Sequence, residues 1–327
     1  MAPLPVDVTL LRRLTACCCY GAISIMITLF NKAVFSVYRF TYPNVVTTYQ
    51  IIVSIAYMLL LQRLRWMDIG SLSLTAARQV FPLTLFWWLY VVSGVIALRY
   101  LNVPMYSVFR RSTTLIVVGG EWLLLRKRPT PTGFVSILLM VAGAAIAGLT
   151  DLTYSLPGYL WVSVCAVSTA VYLLLIRRLK DRTGLSQSAL LLYNNVLALP
   201  LMLGMLLTSR ELSTVWRYPR LHELSFQVFL LVSASQAFLL NLCIFWCTTL
   251  NSPLATTVTG QMKDILTTGL GLFLFGDVKF DTRNVTGVCI GLLGGIAYSL
   301  SSYYERQKPP RDPAATREAP YPPACCA

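Results

Sequence analysis

Ten apolar segments follow one another along the sequence, and each is about as long as a bilayer is thick. A helix needs about 20 apolar residues to cross a hydrocarbon core of about 30 Å. Hydrophobic residues make up 56% of the 327-residue chain and charged residues only 12%, against about 25% in soluble domains. The sequence therefore predicts an all-α, polytopic membrane protein. Its ten predicted transmembrane helices lie at roughly 14–37, 45–62, 80–98, 104–125, 132–149, 158–176, 188–208, 225–248, 252–275 and 284–303.

Basic residues between the apolar segments predict the orientation in the membrane. Lys and Arg collect in the cytosolic loops of membrane proteins. With a cytosolic N-terminus, 16 basic residues outside the spans face the cytosol and 7 face the other side. Both termini are therefore predicted to be cytosolic, with 1–13 as an N-terminal segment and the proline-rich 305–327 as a disordered tail. Because lipid topology accounts for the net charge of +14, nucleic-acid binding is not predicted.

Four basic residues lie within the predicted spans: Lys32, Arg110, Arg111 and Lys263. A charged side chain at the middle of a spanning helix costs about 2.5 to 3.5 kcal/mol on insertion, and it usually faces a bundle interior or a wet pathway. These four residues are therefore the first candidates for an anion site. For the two arginines and for Lys32, which lie nearer to helix ends, the alternative is that the side chains reach out to the lipid headgroups.

Lys263 is the deepest of these cations, about eleven residues into its predicted span. At helical spacing, its face of the helix also carries Thr256, Gly260 and Thr267. This stripe of small and hydroxyl residues around one ammonium group indicates a helix that lines a cavity for an anion. The alternative is a purely structural ion pair with Asp264 or Glu121. For Glu121 itself we expect an ion pair with a basic neighbour such as Arg126.

An approximate internal repeat divides the ten spans into five plus five. Pro104 leads into Arg110-Arg111 as Pro253 leads into Lys263, and the two stretches are about 150 residues apart. Repeats with an odd number of spans must insert in opposite orientations, and inverted repeats place substrate sites near the bilayer midplane. The repeats are predicted at about 14–150 and 158–304, within a ten-helix domain at 14–304. This arrangement is typical of transporters.

The stretch Tyr193-Asn194-Asn195 opens the seventh predicted span. Two asparagines supply amide donors and carbonyl acceptors, and a tyrosine supplies a ring for stacking, which suits the edge and face of a nucleobase. The alternative is that the asparagines join helices by hydrogen bonds worth about 0.6 kcal/mol each. Asn31, beside Lys32 in the first span, is a further candidate for ligand binding.

Glycines recur at every fourth position in the last span, at Gly287, Gly291 and Gly295. Such a pattern lets two helix backbones approach closely, either within the chain or in a homodimer. No phosphate-binding loop for ATP occurs in the sequence, and the single histidine and scattered cysteines do not form a metal-binding pattern. We therefore expect no metal, no cofactor and no enzymatic activity.

Several short motifs together resemble the nucleotide-sugar transporters of the drug/metabolite transporter superfamily, over roughly residues 14 to 304. The motifs are Asn31-Lys32, Pro104-Met105-Tyr106, Val108-Phe109-Arg110-Arg111, Gly119-Gly120-Glu121, Tyr193-Asn194-Asn195, Asn251-Ser252-Pro253 and Gly260-Gln261-Met262-Lys263. The resemblance implies ten helices with cytosolic termini in a Golgi membrane, with the endoplasmic reticulum as the alternative. It also implies exchange of a cytosolic nucleotide sugar for a lumenal nucleoside monophosphate.

The resemblance also implies roles for two of the motifs. Tyr193-Asn194-Asn195 matches the motif that holds the nucleobase in GDP-mannose carriers, and Gly260-x-x-Lys263 matches the stretch that engages sugar and phosphate. GDP-mannose carriers, however, have Gly-Ala-Leu-Asn-Lys in the ninth helix, whereas this chain has Gly260-Gln261-Met262-Lys263-Asp264. The arginine pair and this altered run look more like the UDP-sugar branch. UDP-N-acetylglucosamine is therefore the expected substrate; the alternatives are GDP-mannose or GDP-fucose, and phosphorylated sugars or triose phosphates.

Overall fold

The computed structural model of the chain describes residues 8–36, 38–66, 73–101, 103–125, 130–148, 155–260, 262–263 and 282–307. Across these residues the protein is helical apart from short connections, and no strand occurs among them. The helices are α1 Val8–Ser36, α2 Pro43–Arg63, α3 Leu74–Tyr100, α4 Val103–Leu125, α5 Pro131–Gly148, α6 Leu156–Thr183, α7 Gln187–Thr208, α8 Glu211–Val215, α9 Leu224–Leu250, α10 253–260 and α11 Thr282–Gln307.

Nine of the ten predicted spans coincide with a long helix of the structure. The ninth is described only as far as residue 263, so the rest of that span lies outside the described residues. Among the residues that the structure describes, five helices are long and apolar enough to cross a membrane. These are Pro43–Arg63, Leu74–Ala97, Leu156–Thr183, Gln187–Thr208 and Leu224–Leu250. The chain is therefore an all-helical, polytopic membrane protein over the part that the structure describes.

Short polar signals at the helix ends explain where several helices begin and stop. The hydroxyl groups of Ser73, Ser155 and Ser186 accept hydrogen bonds from backbone N–H groups three residues later, which caps α3, α6 and α7. Gly184 ends α6 with φ at +65°, a conformation that glycine adopts without strain. α6 therefore continues past its apolar segment to Thr183. Its last turn carries Lys180 and Arg182, and positive charges stabilise the C-terminal end of a helix through its dipole.

The helix packing relates the two halves of the chain to each other. α3 packs against α6, and α1 packs against α9. α2 lies against both α7 and α9, and α3 also lies against α7. The main apolar core forms where α2, α3, α6, α7 and α9 meet, around side chains such as Met58, Leu83 and Phe245. α4 packs against α5 and α6, and α5 packs along α11.

The glycine stripe of α11 packs within the chain. A Cβ atom on Gly143 of α5 would lie 2.5 Å from the backbone nitrogen of Gly291 and 2.6 Å from the carbonyl oxygen of Gly287. The third member of the stripe, Gly295, lies against Met262. The close approach that this spacing predicts is therefore between α11 and its own neighbours, and a homodimer would have to use another surface.

Candidate functional site

A cavity of about 170 Å³ lies between six helices, three from each half of the chain. α1, α3 and α4 form one part of the wall, and α6, α9 and the α10 segment form the other. Ten of the fourteen described lining residues carry a polar group on the side chain. The described lining consists of Tyr20, Ser24, Tyr90, Arg110, Thr113, Thr169, Tyr172, Leu173, Leu240, Ile244, Thr256, Thr257, Gly260 and Lys263.

Two cations, Arg110 from α4 and Lys263 from the α10 segment, line this cavity together. Arg110 is exposed and Lys263 is half-buried. No Asp or Glu occurs among the described lining residues. Like charges that share a partly enclosed, low-dielectric space raise its positive potential and attract anions to it. The electrostatics of the cavity therefore favour an anionic ligand.

Two tyrosines lie near the guanidinium of Arg110. The group interacts with the hydroxyl groups of Tyr90 and Tyr106, and the interaction with Tyr106 includes a hydrogen bond. The Tyr90 ring also packs on the Tyr172 ring, with centroids 5.7 Å apart. These contacts position Arg110 at the cavity and give the site aromatic surface next to a cation, a combination that suits a ligand with both a ring and a negative charge.

Two close approaches position the α10 segment. A Cβ atom on Gly260 would lie 3.0 Å from the Tyr20 hydroxyl oxygen, so a side chain at this position would press on α1. The hydroxyl groups of Thr256 and Thr248 are 3.0 Å apart and hydrogen-bond α10 to α9. At its start, α10 is capped by Glu121 of α4, whose Oε1 accepts a 2.8 Å hydrogen bond from the Leu254 N–H.

Glu121 is buried between the two halves of the chain. Its carboxylate, in a side chain only 6% exposed, holds the N-terminus of α10 and therefore links the two halves. Arg126, the expected partner, lies outside the described residues.

The structure places Tyr193, Asn194 and Asn195 in the packed core, away from the described cavity lining. All three are at most 3% exposed. The Tyr193 hydroxyl oxygen accepts a 2.7 Å hydrogen bond from the backbone N–H of Ser73, and Asn195 Nδ2 lies 3.9 Å from the sulfur of Met58. Within the part of the chain that is described, Asn194 Oδ1 has no hydrogen-bond partner. In this conformation Tyr193 joins α7 to the start of α3, and Asn195 joins it to α2. A role of the three residues in holding a nucleobase stays a prediction.

The remaining candidates lie on helices whose backbones are described. Asn31 and Lys32 belong to α1, and Arg111 belongs to α4, but their side chains lie outside the described residues. Of the stripe predicted around Lys263, Thr256 and Gly260 line the cavity with it. Thr267, the last member, lies outside the described residues.

A model of the Triose-phosphate Transporter family matches residues 11–299 of the chain. The chain belongs to this family. The transporter is 35% identical over 298 residues to the UDP-N-acetylglucosamine transporter UGNT1 of Arabidopsis thaliana, an alignment that covers 88% of this chain and 86% of that protein. It is 29% identical over 299 residues to the UDP-galactose/UDP-glucose transporter 7 of the same plant, with 91% and 92% covered. The resemblance to nucleotide-sugar transporters is thus confirmed.

The fold also has a match among solved structures. One crystal structure superposes with a TM-score of 0.64 at 15% identity, over 91% of this transporter and 99% of the other chain. At that identity, the match supports the overall helical arrangement.

Several cavity residues of the transporter carry no strong signal in the sequence. Tyr20, Tyr90, Thr169 and Tyr172 line the cavity although none is charged. The sequence offers two indications that they face a cavity. Their hydroxyl groups lie within apolar segments, and helical spacing puts Tyr20 on one face with Ser24 and Thr169 on one face with Tyr172. The signal is weak because tyrosines and threonines are also common in helix packing.

Proposed function

We propose that the chain is a nucleotide-sugar antiporter that carries a UDP-sugar from the cytosol into the Golgi lumen in exchange for a nucleoside monophosphate. UDP-N-acetylglucosamine is the first candidate substrate. The observation that carries the proposal is the pair of cations, Arg110 and Lys263, on one cavity with no acidic residue among its described lining. A diphosphate is the part of a nucleotide sugar that two cations neutralise. The names of the two relatives favour the uridine nucleotide over the guanosine nucleotide.

The packing supports two inverted repeats of five helices, at about 14–150 and 158–304. In this comparison α1, α2, α3 and α5 of the first half correspond in order to α6, α7, α9 and α11 of the second. Under that correspondence, the α3–α6 contact has its counterpart in the α1–α9 contact. The α2–α9 contact likewise has its counterpart in the α3–α7 contact. The α2–α7 and α5–α11 contacts map onto themselves. The cavity lies between corresponding helices, and its two cations, Arg110 and Lys263, belong to the predicted fourth and ninth of ten spans. Inverted repeats are the arrangement in which transporters alternate access to a central site.

Aromatic surface in the cavity supports a ligand with a nucleobase. Tyr90 and Tyr172 supply rings beside Arg110. Base recognition by Tyr193, Asn194 and Asn195 is part of the proposal only for a conformation in which α7 turns these side chains towards the site. In the arrangement described above, the tyrosine rings of the cavity are the available stacking surface.

The same cations explain why transport is an exchange. An empty carrier that changes conformation has to enclose the positive charges of Arg110 and Lys263 without a ligand anion, and moving a charge out of water into a low-dielectric interior costs several kcal/mol per ion. A carrier loaded with a nucleotide sugar or with a monophosphate avoids this cost. Both loaded forms therefore change conformation faster than the empty form, and uptake of one ligand is coupled to exit of the other.

Orientation and location follow from the sequence. The predicted excess of basic residues on one side places both termini in the cytosol, in a Golgi membrane or, as the alternative, in that of the endoplasmic reticulum. A homodimer remains a prediction, and it would be formed by a surface other than the Gly287 and Gly291 face, which α5 covers.

Uptake into proteoliposomes tests the proposal. Purified protein is reconstituted into liposomes preloaded with UMP, GMP or inorganic phosphate, and radiolabelled UDP-N-acetylglucosamine, UDP-glucose, GDP-mannose and triose phosphate are added outside. We expect UMP to stimulate uptake of UDP-sugars about tenfold or more over empty liposomes, as for an obligatory exchanger. Stimulation by GMP with GDP-mannose alone would instead assign a GDP-sugar carrier. Stimulation only by phosphate with triose phosphate would assign the activity after which the family is named.

A further inference from the structure

Two thiol groups, from α1 and α9, lie in contact at the end of the bundle where α9 leads into α10. The Sγ atoms of Cys17 and Cys247 are 3.5 Å apart, although the residues are 230 positions apart in the sequence. The Asn251 side chain lies against both, with Nδ2 at 3.5 Å from Cys17 Sγ and 3.9 Å from Cys247 Sγ. The same Nδ2 donates a 3.2 Å hydrogen bond to the carbonyl oxygen of Arg13. One polar cluster thus joins the start of α1 to the end of α9.

The segment that follows this cluster is also held by α4 and α6. Arg177 of α6 donates a hydrogen bond to the carbonyl oxygen of Thr249, and Glu121 of α4 accepts one from the N–H of Leu254. Three helices therefore hold residues 249–254, the junction between α9 and α10. Because Gly260 and Lys263 follow this junction on the same helical segment, separating α1 from α9 at this end would also move the cavity wall.

We infer that Cys17 and Cys247 are a redox-modification site at which a disulfide ties α1 to α9 and holds this end of the transporter closed. A disulfide needs a sulfur–sulfur distance of about 2.05 Å, so the two Sγ atoms have to approach by about 1.5 Å. Cys17 is half-buried and Cys247 is 0% exposed, so an oxidant reaches Cys17 first. The two thiols therefore react in a fixed order: Cys17 is oxidised first, and Cys247 then forms the disulfide with it.

The chemistry needs a two-electron oxidant of the peroxide class. Hydrogen peroxide transfers one oxygen to the Cys17 sulfur, which gives a sulfenic acid and one water. The Cys247 sulfur then attacks the Cys17 sulfur, the S–O bond breaks, and the departing hydroxide takes the Cys247 proton as a second water. The two thiols are oxidised to one disulfide and the peroxide is reduced to two waters. A dithiol reductant reverses the reaction by thiol–disulfide exchange.

The effect on transport rests on the proposed function. An antiporter has to open each end in turn, so a covalent bond between α1 and α9 stops the cycle with this end closed. The positive-inside distribution places this end at the cytosol, where thiols are normally kept reduced. The site therefore acts under peroxide load and leaves transport unaffected otherwise.

Proteoliposomes with the full-length chain test this inference. Protein is treated with hydrogen peroxide and then with dithiothreitol, and peptide mass spectrometry is run beside UMP/UDP-N-acetylglucosamine exchange. We expect a Cys17–Cys247 linked peptide, a decrease of about tenfold or more in the exchange rate, and recovery with dithiothreitol. Cys17→Ser and Cys247→Ser are each expected to keep peroxide-treated exchange within about twofold of the reduced rate. Cys18→Ser, an exposed neighbour on α1, serves as the matched control and should remain sensitive.

Three results would overturn the inference: no linked peptide, a linked peptide with unchanged exchange, or inhibition that persists in both serine variants. Cys17→Ser gives a decisive answer even if the buried Cys247→Ser fails to fold, because Cys17 is half-buried only. If the reduced wild-type protein exchanges no UDP-sugar, the proposed substrate is wrong, and the linked peptide still decides whether the two thiols form the site.

Discussion

Arg110 and Lys263 are 153 positions apart in the sequence, yet both line one cavity. Each is costly within a membrane segment, and two cations that line one cavity repel each other. A protein of this kind retains such a pair where a ligand supplies the compensating negative charge. The tyrosines at Arg110 and the absence of a side chain at Gly260 then determine how a ligand can approach the two charges.

Replacing the deeper cation should therefore remove much of the activity. We expect Lys263→Gln to slow nucleotide exchange roughly 10- to 100-fold, since a hydrogen bond to a charged group contributes about 1.5 to 3 kcal/mol. Lys180→Gln, on α6 and outside the described cavity lining, is the matched control and should exchange normally. Exchange is measured in proteoliposomes with variants that elute as monodisperse protein. A folded Lys263→Gln with wild-type rates would contradict the assignment.

A side chain at position 260 should slow transport, because it would press on the Tyr20 hydroxyl group. The Cβ atom of Gly260→Ala would lie 3.0 Å from the Tyr20 hydroxyl oxygen, while the next ring atoms are 3.8 Å away. We expect the alanine to slow exchange about fivefold, consistent with about 1 kcal/mol of overpacking, and Tyr20→Phe in the same chain to restore part of the rate. Gly204→Ala, with no atom within 4 Å of its Cβ, should have no effect. Additive losses in the double variant would exclude the contact as the cause.

Among the helices, the tightest approach is between α5 and α11, which glycines make possible. A Cβ atom on Gly143 would meet backbone atoms of α11 rather than the end of a flexible side chain. Backbone atoms cannot move aside without shifting the helix, so this contact fixes the distance between the last helix of each half.

A methyl group at this position should destabilise the protein. We expect Gly143→Ala to lower the melting temperature of the protein in detergent, because overpacking of this kind costs about 1 to 3 kcal/mol. Gly119→Ala on α4 is the control, since its Cβ would have no neighbour within 4 Å. Its melting temperature should stay the same or rise, as alanine favours a helix by about 1 kcal/mol over glycine. Equal melting temperatures for the two variants would show that α5 and α11 can separate.

The helices themselves could be predicted from the sequence because length and hydropathy alone specify a membrane span. The candidate cations could also be found, since a charge within a span is rare and costly. Residues such as Tyr90 and Thr169 could not be ranked, because a hydroxyl group costs little inside a helix bundle and their position depends on how helices pack. For the same reason the sequence could not show that Asn194 is buried in the core and that Asn195 contacts Met58 of α2 in this conformation.

At the scale of the whole molecule, six helices from two halves enclose one positively charged cavity, and the charge has a consequence for the transport cycle. The empty carrier has to enclose both cations, whereas the loaded carrier encloses them with an anion. Exchange should therefore exceed net uptake, and the difference should depend on how many cations are enclosed.

Removing one cation should reduce the difference between exchange and net uptake. We expect the wild-type protein to take up nucleotide sugar about tenfold or more faster into UMP-loaded than into empty liposomes. In Arg110→Gln, both rates are measured at saturating substrate so that weaker binding does not obscure the comparison. The exchange rate should fall while the net rate falls less or rises, because the empty cavity then encloses one positive charge fewer. An unchanged ratio of the two rates would mean that another feature of the bundle, and not the enclosed charge, makes this transporter an exchanger.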